Sequence, residues 1–140
     1  MSKIAVVYWS GTGNTQTMAE AVLAGAKESG AETALFTASE FDASKADEFD
    51  AIAFGCPAMG SEVLEESEFQ PMFDSVTEKL NGKKIGLFGS YGWGDCEWMR
   101  IWEETCLSIG AKFACDSVIC NEAPDDEALN ACKALGKALV

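Results

Sequence analysis

Lys3-Ile4-Ala5-Val6-Val7-Tyr8-Trp9-Ser10-Gly11-Thr12-Gly13-Asn14-Thr15 joins an unbroken apolar run to a loop of hydroxyls, one amide and two glycines. The run lacks the apolar–polar alternation of a half-exposed strand, so Lys3–Trp9 reads as a parallel strand buried on both faces. Beyond the loop, Met18, Ala19, Val22, Leu23 and Ala26 share one face of a helix predicted over Thr15–Ser29, with Gly30 as its stop. Further strands are predicted at Glu32–Phe36, Ala51–Gly55, Ile85–Gly89 and Lys112–Cys120. Helices are predicted at Phe69–Leu80, Cys96–Ser108 and Asp125–Leu139. Ser39–Phe49 reads as a polar surface connection with room for one helical turn, and Glu62–Glu68 as an acidic loop. Trp98 and Trp102, one turn apart, read as packing residues, and Trp9 as core or site wall. The alternation predicts an α/β fold in one domain: a doubly wound, five-stranded parallel sheet with helices on both faces.

Ligands of such sheets bind beyond the carboxyl ends of the strands, where the winding reverses. The loops after the first, third and fourth strands are also those of unusual composition. Ser10-Gly11-Thr12-Gly13-Asn14-Thr15 combines glycines for close approach, side-chain donors, and the free N–H groups and partial positive charge of a helix start. Together these form a phosphate cradle; the plainer alternative is a polar turn with a helix cap. A nucleotide P-loop would need Gly-Lys-Ser/Thr, and the dinucleotide fingerprint a glycine where Gln16 stands. Neither Lys nor Arg occurs between Lys3 and Lys27, so neutral dipoles must hold the phosphate, which suits a small monoester better than a magnesium triphosphate.

Cys56-Pro57-Ala58-Met59-Gly60-Ser61-Glu62 follows the third strand, and Ser90-Tyr91-Gly92-Trp93-Gly94-Asp95 the fourth. Trp93, between two glycines, belongs to no helix stripe; a flat aromatic ligand could stack on it, with Met59 against the other face. The net charge of −13 argues against nucleic acid and anionic membranes. It fits either a basic protein partner or a surface that simply keeps the chain soluble. None of the six cysteines forms a C-x-x-C pair, which speaks against zinc and iron–sulfur sites, and free buried thiols are favoured over three disulfides. The chain has no histidine, which removes the usual catalytic triads, and no metal ligand set or catalytic group stands out. With no signal-like start and no membrane-length apolar run, a cytoplasmic location is expected.

Ser10–Thr15, Met59-Gly60-Ser61-Glu62 and Gly89-Ser90-Tyr91-Gly92-Trp93-Gly94 together resemble the short-chain flavodoxins of anaerobic bacteria, over nearly the whole chain. The strand order 2-1-3-4-5 comes with that resemblance, since flavodoxin itself exemplifies the order, and is not read from the residues. The resemblance implies one non-covalent FMN. Its phosphate would lie on Ser10, Thr12, Asn14 and Thr15 with their backbone neighbours Gly11 and Gly13. Trp93 would cover one flavin face and Met59 the other. Glu62 would accept from flavin N3–H, the Gly92 N–H would approach the pyrimidine edge, and Ser90 would lie near the ribityl-phosphate chain. Pro57, Ala58, Ser61, Tyr91 and Gly94 complete the implied contacts. Pro57 replaces a serine of some members, and Ser61 an aspartate or glycine. The Gly60 carbonyl would swing to accept from flavin N5–H in the semiquinone.

Implied too is a low-potential one-electron carrier, shuttling mainly between semiquinone and hydroquinone. It would be a monomer that meets basic redox proteins near the flavin. Glu62, Glu65, Glu66, Glu68, Asp95 and Glu97, in or beside the loops, would oppose the hydroquinone charge unless they are a screened, solvated rim. Two other functions fit the fold less well. A flavin-dependent NAD(P)H:quinone reductase usually needs a base or an arginine clamp, and Arg100 is the only arginine. A phospho-receiver would want an aspartate where Gly55-Cys56 ends the third strand.

Overall fold

The computed structural model describes residues 2–59, 63–92 and 94–140. Strand β1 (Lys3–Tyr8) is buried from Ile4 onward and lies between β2 (Glu32–Thr37) and β3 (Ala51–Gly55), parallel to both, with Val6 opposite Leu35 on one side and Ala53 on the other. Its side chains alternate between two cores, as a strand covered on both faces must. Ile4, Val6 and Tyr8 join a cluster with Met18 and Val22 of α1 (Asn14–Glu28) and Leu135 of α5 (Asp126–Leu139). Ala5 and Val7 face the other cluster, with Phe69 and Phe73 of α3 (Phe69–Val76) and Trp98 and Trp102 of α4 (Glu97–Ser108). The two helices α1 and α5 approach closely because Gly25 and Gly136 have no side chain: a Cβ on Gly25 would overlap the Lys133 carbonyl, and one on Gly136 the Val22 carbonyl.

The sheet order is β2-β1-β3-β4-β5, with β4 spanning Lys84–Tyr91. The order agrees with expectation; the fifth strand does not. Instead of one run over Lys112–Cys120 there are two short strands, β5 (Lys112–Phe113) and β6 (Val118–Asn121), both parallel to β4. This strand is the sheet edge, with ladder partners on one side only, so a bend forfeits few hydrogen bonds. The Ser117 hydroxyl in the bend donates to Glu103 Oε2 at 2.6 Å.

Three further boundaries differ. The helix expected over Phe69–Leu80 ends its α-helical part, α3, at Val76, and a 3-10 turn covers Thr77–Lys79. There the Ser75 and Thr77 hydroxyls donate to the Met72 and Asp74 carbonyls, an alternative to helix continuation. Strand β4 extends through Ser90 and Tyr91 because β6 pairs with both. The connection after β2 is more ordered than its polarity suggests. It holds a 3-10 turn (Ala38–Glu40) and a short helix α2 (Ala43–Ala46), with Phe36, Phe41 and Phe49 in mutual ring contact, Phe36 and Phe49 edge to face.

Candidate functional site

The loop from β1 to α1 lines a cleft at the start of the helix. Trp9 N donates to the Gly55 carbonyl at 3.0 Å, holding the chain as it leaves the sheet, and Gly13 N donates to Ser10 Oγ at 3.0 Å, closing the loop. Gly13 has φ 98° and stands at the N-cap, so the helix begins without a side-chain cap and without an acid in its first turn. Only glycine adopts that backbone readily. The first-turn N–H groups have no carbonyl one turn back, and they add their partial positive charge to the cleft. Thr15 is 1% exposed and its hydroxyl has no hydrogen-bond partner. Such a group costs about 1–3 kcal/mol unless an acceptor or donor reaches it. A phosphate oxygen is one group that could satisfy both the hydroxyl and the helix start. A Cβ on Gly11 would crowd the Trp9 ring at 3.1 Å, so Gly11 makes room for Trp9.

These residues open into a cleft of about 460 Å³, within the range of pockets that take small cofactors. Ser10, Gly11, Thr12, Asn14 and Thr15 form one wall, Pro57 stands at the end of β3, and Ser90, Tyr91 and Gly92 end β4. None of the described lining residues is Lys or Arg. Gly92 is exposed, and a Cβ there would meet nothing within 4 Å. Ala58 and Met59 follow Pro57 in the chain but are not among the residues that line the cleft; Ala58 N donates to the Ser90 carbonyl and Met59 N to the Val63 carbonyl, each at 3.0 Å. Gly94 is exposed with φ 90°. Gly60, Ser61, Glu62 and Trp93 lie outside the described residues.

Two lining residues escaped the sequence reading. Glu122 and Ala123, just beyond β6, close the cleft on the side of the sheet edge. Glu122 adopts φ 56°, which aims its carbonyl at the buried Ser90 hydroxyl, 2.6 Å away. That hydroxyl therefore already donates within the protein, which limits what it offers a ribityl chain. The only signal in the sequence was topological: this loop too lies at a carboxyl end of the sheet.

Glu65 was grouped with the acidic rim and proves to be internal. It is 5% exposed. Burial pushes its carboxyl up, but hydrogen bonds from the Ser67 hydroxyl and the N–H groups of Phe69, Glu68 and Ser67 outweigh burial and bring its pKa to about 2. It thereby caps α3 through a charge-assisted set of donors. Its own N–H donates to Cys56 Sγ at 3.4 Å, and Trp98 Nε1 donates to the Cys56 carbonyl at 3.1 Å, so the segment after β3 is tied to the core at both ends. Cys56 is a buried free thiol whose pKa burial pushes to about 12. Cys106 and Cys132 are alike, whereas Cys96, Cys115 and Cys120 are half-buried, so the expectation of buried thiols holds for three of the six. Arg100 binds Asp95 through both the carbonyl (2.6 Å) and the carboxylate (3.2 Å), on the loop leading into α4. The Tyr91 phenol is pushed up, chiefly by the charge of Cys96 beside it.

A doubly wound sheet in this order, with a polar, lysine-free loop at its first turn, has the architecture of the flavodoxin-like folds. The flavodoxin family model matches residues 6–136. The flavodoxin of Megasphaera elsdenii is 44% identical over 135 residues, 96% of either chain, and that of Clostridium beijerinckii is 44% identical over 134, again 96% of each. The solution structure of two-electron reduced Megasphaera elsdenii flavodoxin superposes with a TM-score of 0.89 over 97% of both chains. This chain belongs to the flavodoxin family, whose members bind FMN and transfer electrons.

Proposed function

We propose that the whole chain is one FMN-binding domain and works as a low-potential, one-electron carrier between redox enzymes. The observation that carries the reading is the buried, unpartnered Thr15 hydroxyl at the uncapped start of α1, in a cleft whose described walls bring no cation. Bound there, FMN supplies one-electron chemistry. The protein supplies everything else. Ser10, Thr12, Asn14 and Thr15, with the loop N–H groups, hold the phosphate. Pro57 and Gly92 border the middle of the cleft, and Met59 and Trp93 are assigned to the two ring faces, where they exclude water. Gly60 is assigned as the carbonyl that holds a proton at N5, and Glu62 as the acceptor at N3. Carboxylates around the site keep added negative charge unfavourable and the carrier strongly reducing. The engagement of Arg100 with Asp95 favours a carrier over a nicotinamide-dependent reductase, which would want that cation free for substrate.

The test is differential. Thr12→Ala combined with Thr15→Ala should weaken FMN at least about tenfold, the loss of one charge-assisted hydrogen bond or more, and leave riboflavin nearly unaffected. Equal losses for both ligands would remove the phosphate from this loop. Flavin bands in the purified protein without rapid NAD(P)H:quinone turnover support the carrier; rapid turnover overturns it.

A further inference from the structure

A second cleft, of about 140 Å³, lies between α3, α4 and residues 63–64. Phe73, Trp98 and Trp102 form its floor and are at most 2% exposed, while Val63 and Ile101 stand at its rim, 38% and 50% exposed. Thr105 closes one side. The Trp102 indole nitrogen is buried with no hydrogen-bond partner. An engineered cavity of about 150 Å³ takes up benzene, so this one has room for a single apolar side chain.

Its surroundings are one-signed. Asp74 accepts from Gln70, a lining residue, at 2.9 Å. Glu97 and Glu104 stand one turn before and after Ile101, on the same face of α4. Glu66 is exposed two residues beyond Leu64. In the elements that line the cleft the only base is Arg100, and Asp95 engages it. The cleft also shares structure with the cofactor site, since Trp98 in its floor holds the Cys56 carbonyl and Val63 at its rim holds Met59.

We propose that this cleft is the anchor pocket for a basic electron-transfer partner. The partner inserts one leucine-, methionine- or phenylalanine-sized side chain between Val63 and Ile101, while its lysines and arginines meet Glu66, Asp74, Glu97 and Glu104. Charge decides among the possible occupants. A nucleic acid or an anionic membrane is repelled by the same carboxylates. A second copy would set a net charge of −13 against its own kind. A basic protein gains from steering outside the pocket and from apolar burial within it, the pairing found at interface anchors. The place suits the task, because electron transfer weakens steeply with distance and Val63 at the rim follows in the chain directly on the turn assigned to the flavin. The inference rests on the carrier reading.

The experiment follows the FMN-loaded protein by NMR while the peptides Lys-Lys-Phe-Lys-Lys and Lys-Lys-Ala-Lys-Lys are added. The phenylalanine peptide should shift the Trp98 and Trp102 indole signals and the Val63 and Ile101 methyl signals. It should bind at least about tenfold more tightly than the alanine peptide, as burial of one phenyl ring implies. Added salt should weaken it. Thr105→Leu, which fills the cleft, should bring the two peptides level while leaving the flavin spectrum unchanged. If that variant does not fold, Ile101→Lys at the exposed rim should do the same. Equal binding of both peptides, or shifts confined to the flavin loops, overturns the proposal. So does phenol binding as tightly as the phenylalanine peptide, or shifts that follow protein concentration alone, which would mean a small molecule or a second copy. A protein that bound no flavin would instead overturn the carrier reading, whatever the peptides did.

Discussion

Replacing Glu65 by glutamine should cost the fold about 3 kcal/mol at neutral pH, although one oxygen and the side-chain volume are kept. The size follows from the site. An ordinary carboxyl value of 4.5 lowered to about 2 is a difference of about 2.5 pH units. At about 1.36 kcal/mol per unit that is roughly 3 kcal/mol of preferential stabilisation of the charged form. Because the folded pKa is the lower one, the contribution is complete above about pH 4.5 and fades as pH falls towards about 2. Urea denaturation of flavin-free wild type and Glu65→Gln at a series of pH values isolates it, since the other carboxylates titrate in both proteins and cancel in the difference. The gap should be near 3 kcal/mol at pH 7, narrow below pH 4.5 and nearly close by pH 2. A gap under about 0.5 kcal/mol at pH 7, or one that stays constant down the acid range, would refute the view that Glu65 holds the start of α3 by its charge.

Three other expectations concern the cofactor loops and the thiols. Gly60→Thr should lower the first reduction potential by about 40 mV, the equivalent of a lost hydrogen bond of about 1 kcal/mol, and Ser61→Gly should raise it; redox titrations in which neither moves that couple would separate the turn from the potential. Trp93→Ala should restore flavin fluorescence and weaken FMN, whereas Trp98→Ala, which deletes a buried ring and its hydrogen bond to the Cys56 carbonyl, should mainly lower stability; an exchange of those phenotypes would reverse the assignments. In an alkylation time course at pH 8, Cys56, Cys106 and Cys132, each pushed to about 12 by burial, should lag far behind Cys96, and early modification of any of the three would contradict their burial.

The layer structure was legible, and the proposed cradle could be framed, because each is a local pattern. A strand buried on both faces must be apolar at every position, and Ile4–Tyr8 is. A loop that binds phosphate by dipoles must concentrate small polar residues and glycine before a helix, as Ser10–Thr15 does. Composition misled where the deciding partner was distant in the chain. Ser90 and Tyr91 have the look of loop residues but continue β4, because Cys120 and Asn121 pair with them. The uniform appearance of Lys112–Cys120 hid a bend, tolerated at a sheet edge and tied to Glu103.

By itself, the sequence determined which residues can be buried, the order of the strands and long helices along the chain, and which loop concentrates small polar residues and glycine without a cation. These depend on side-chain periodicity and on backbone chemistry within a few residues. Only the tertiary structure decided what each acidic residue does. Glu65 and Glu66 are neighbours with the same side chain, yet one is buried under four donors at the start of α3 and the other is exposed. It likewise brought Glu122 to the cofactor cleft from beyond the last strand, with Ser90 as its partner 32 residues away. A carboxylate's charge is written in its residue type, but its energy depends on the donors, dipoles and water around it, and the fold sets those.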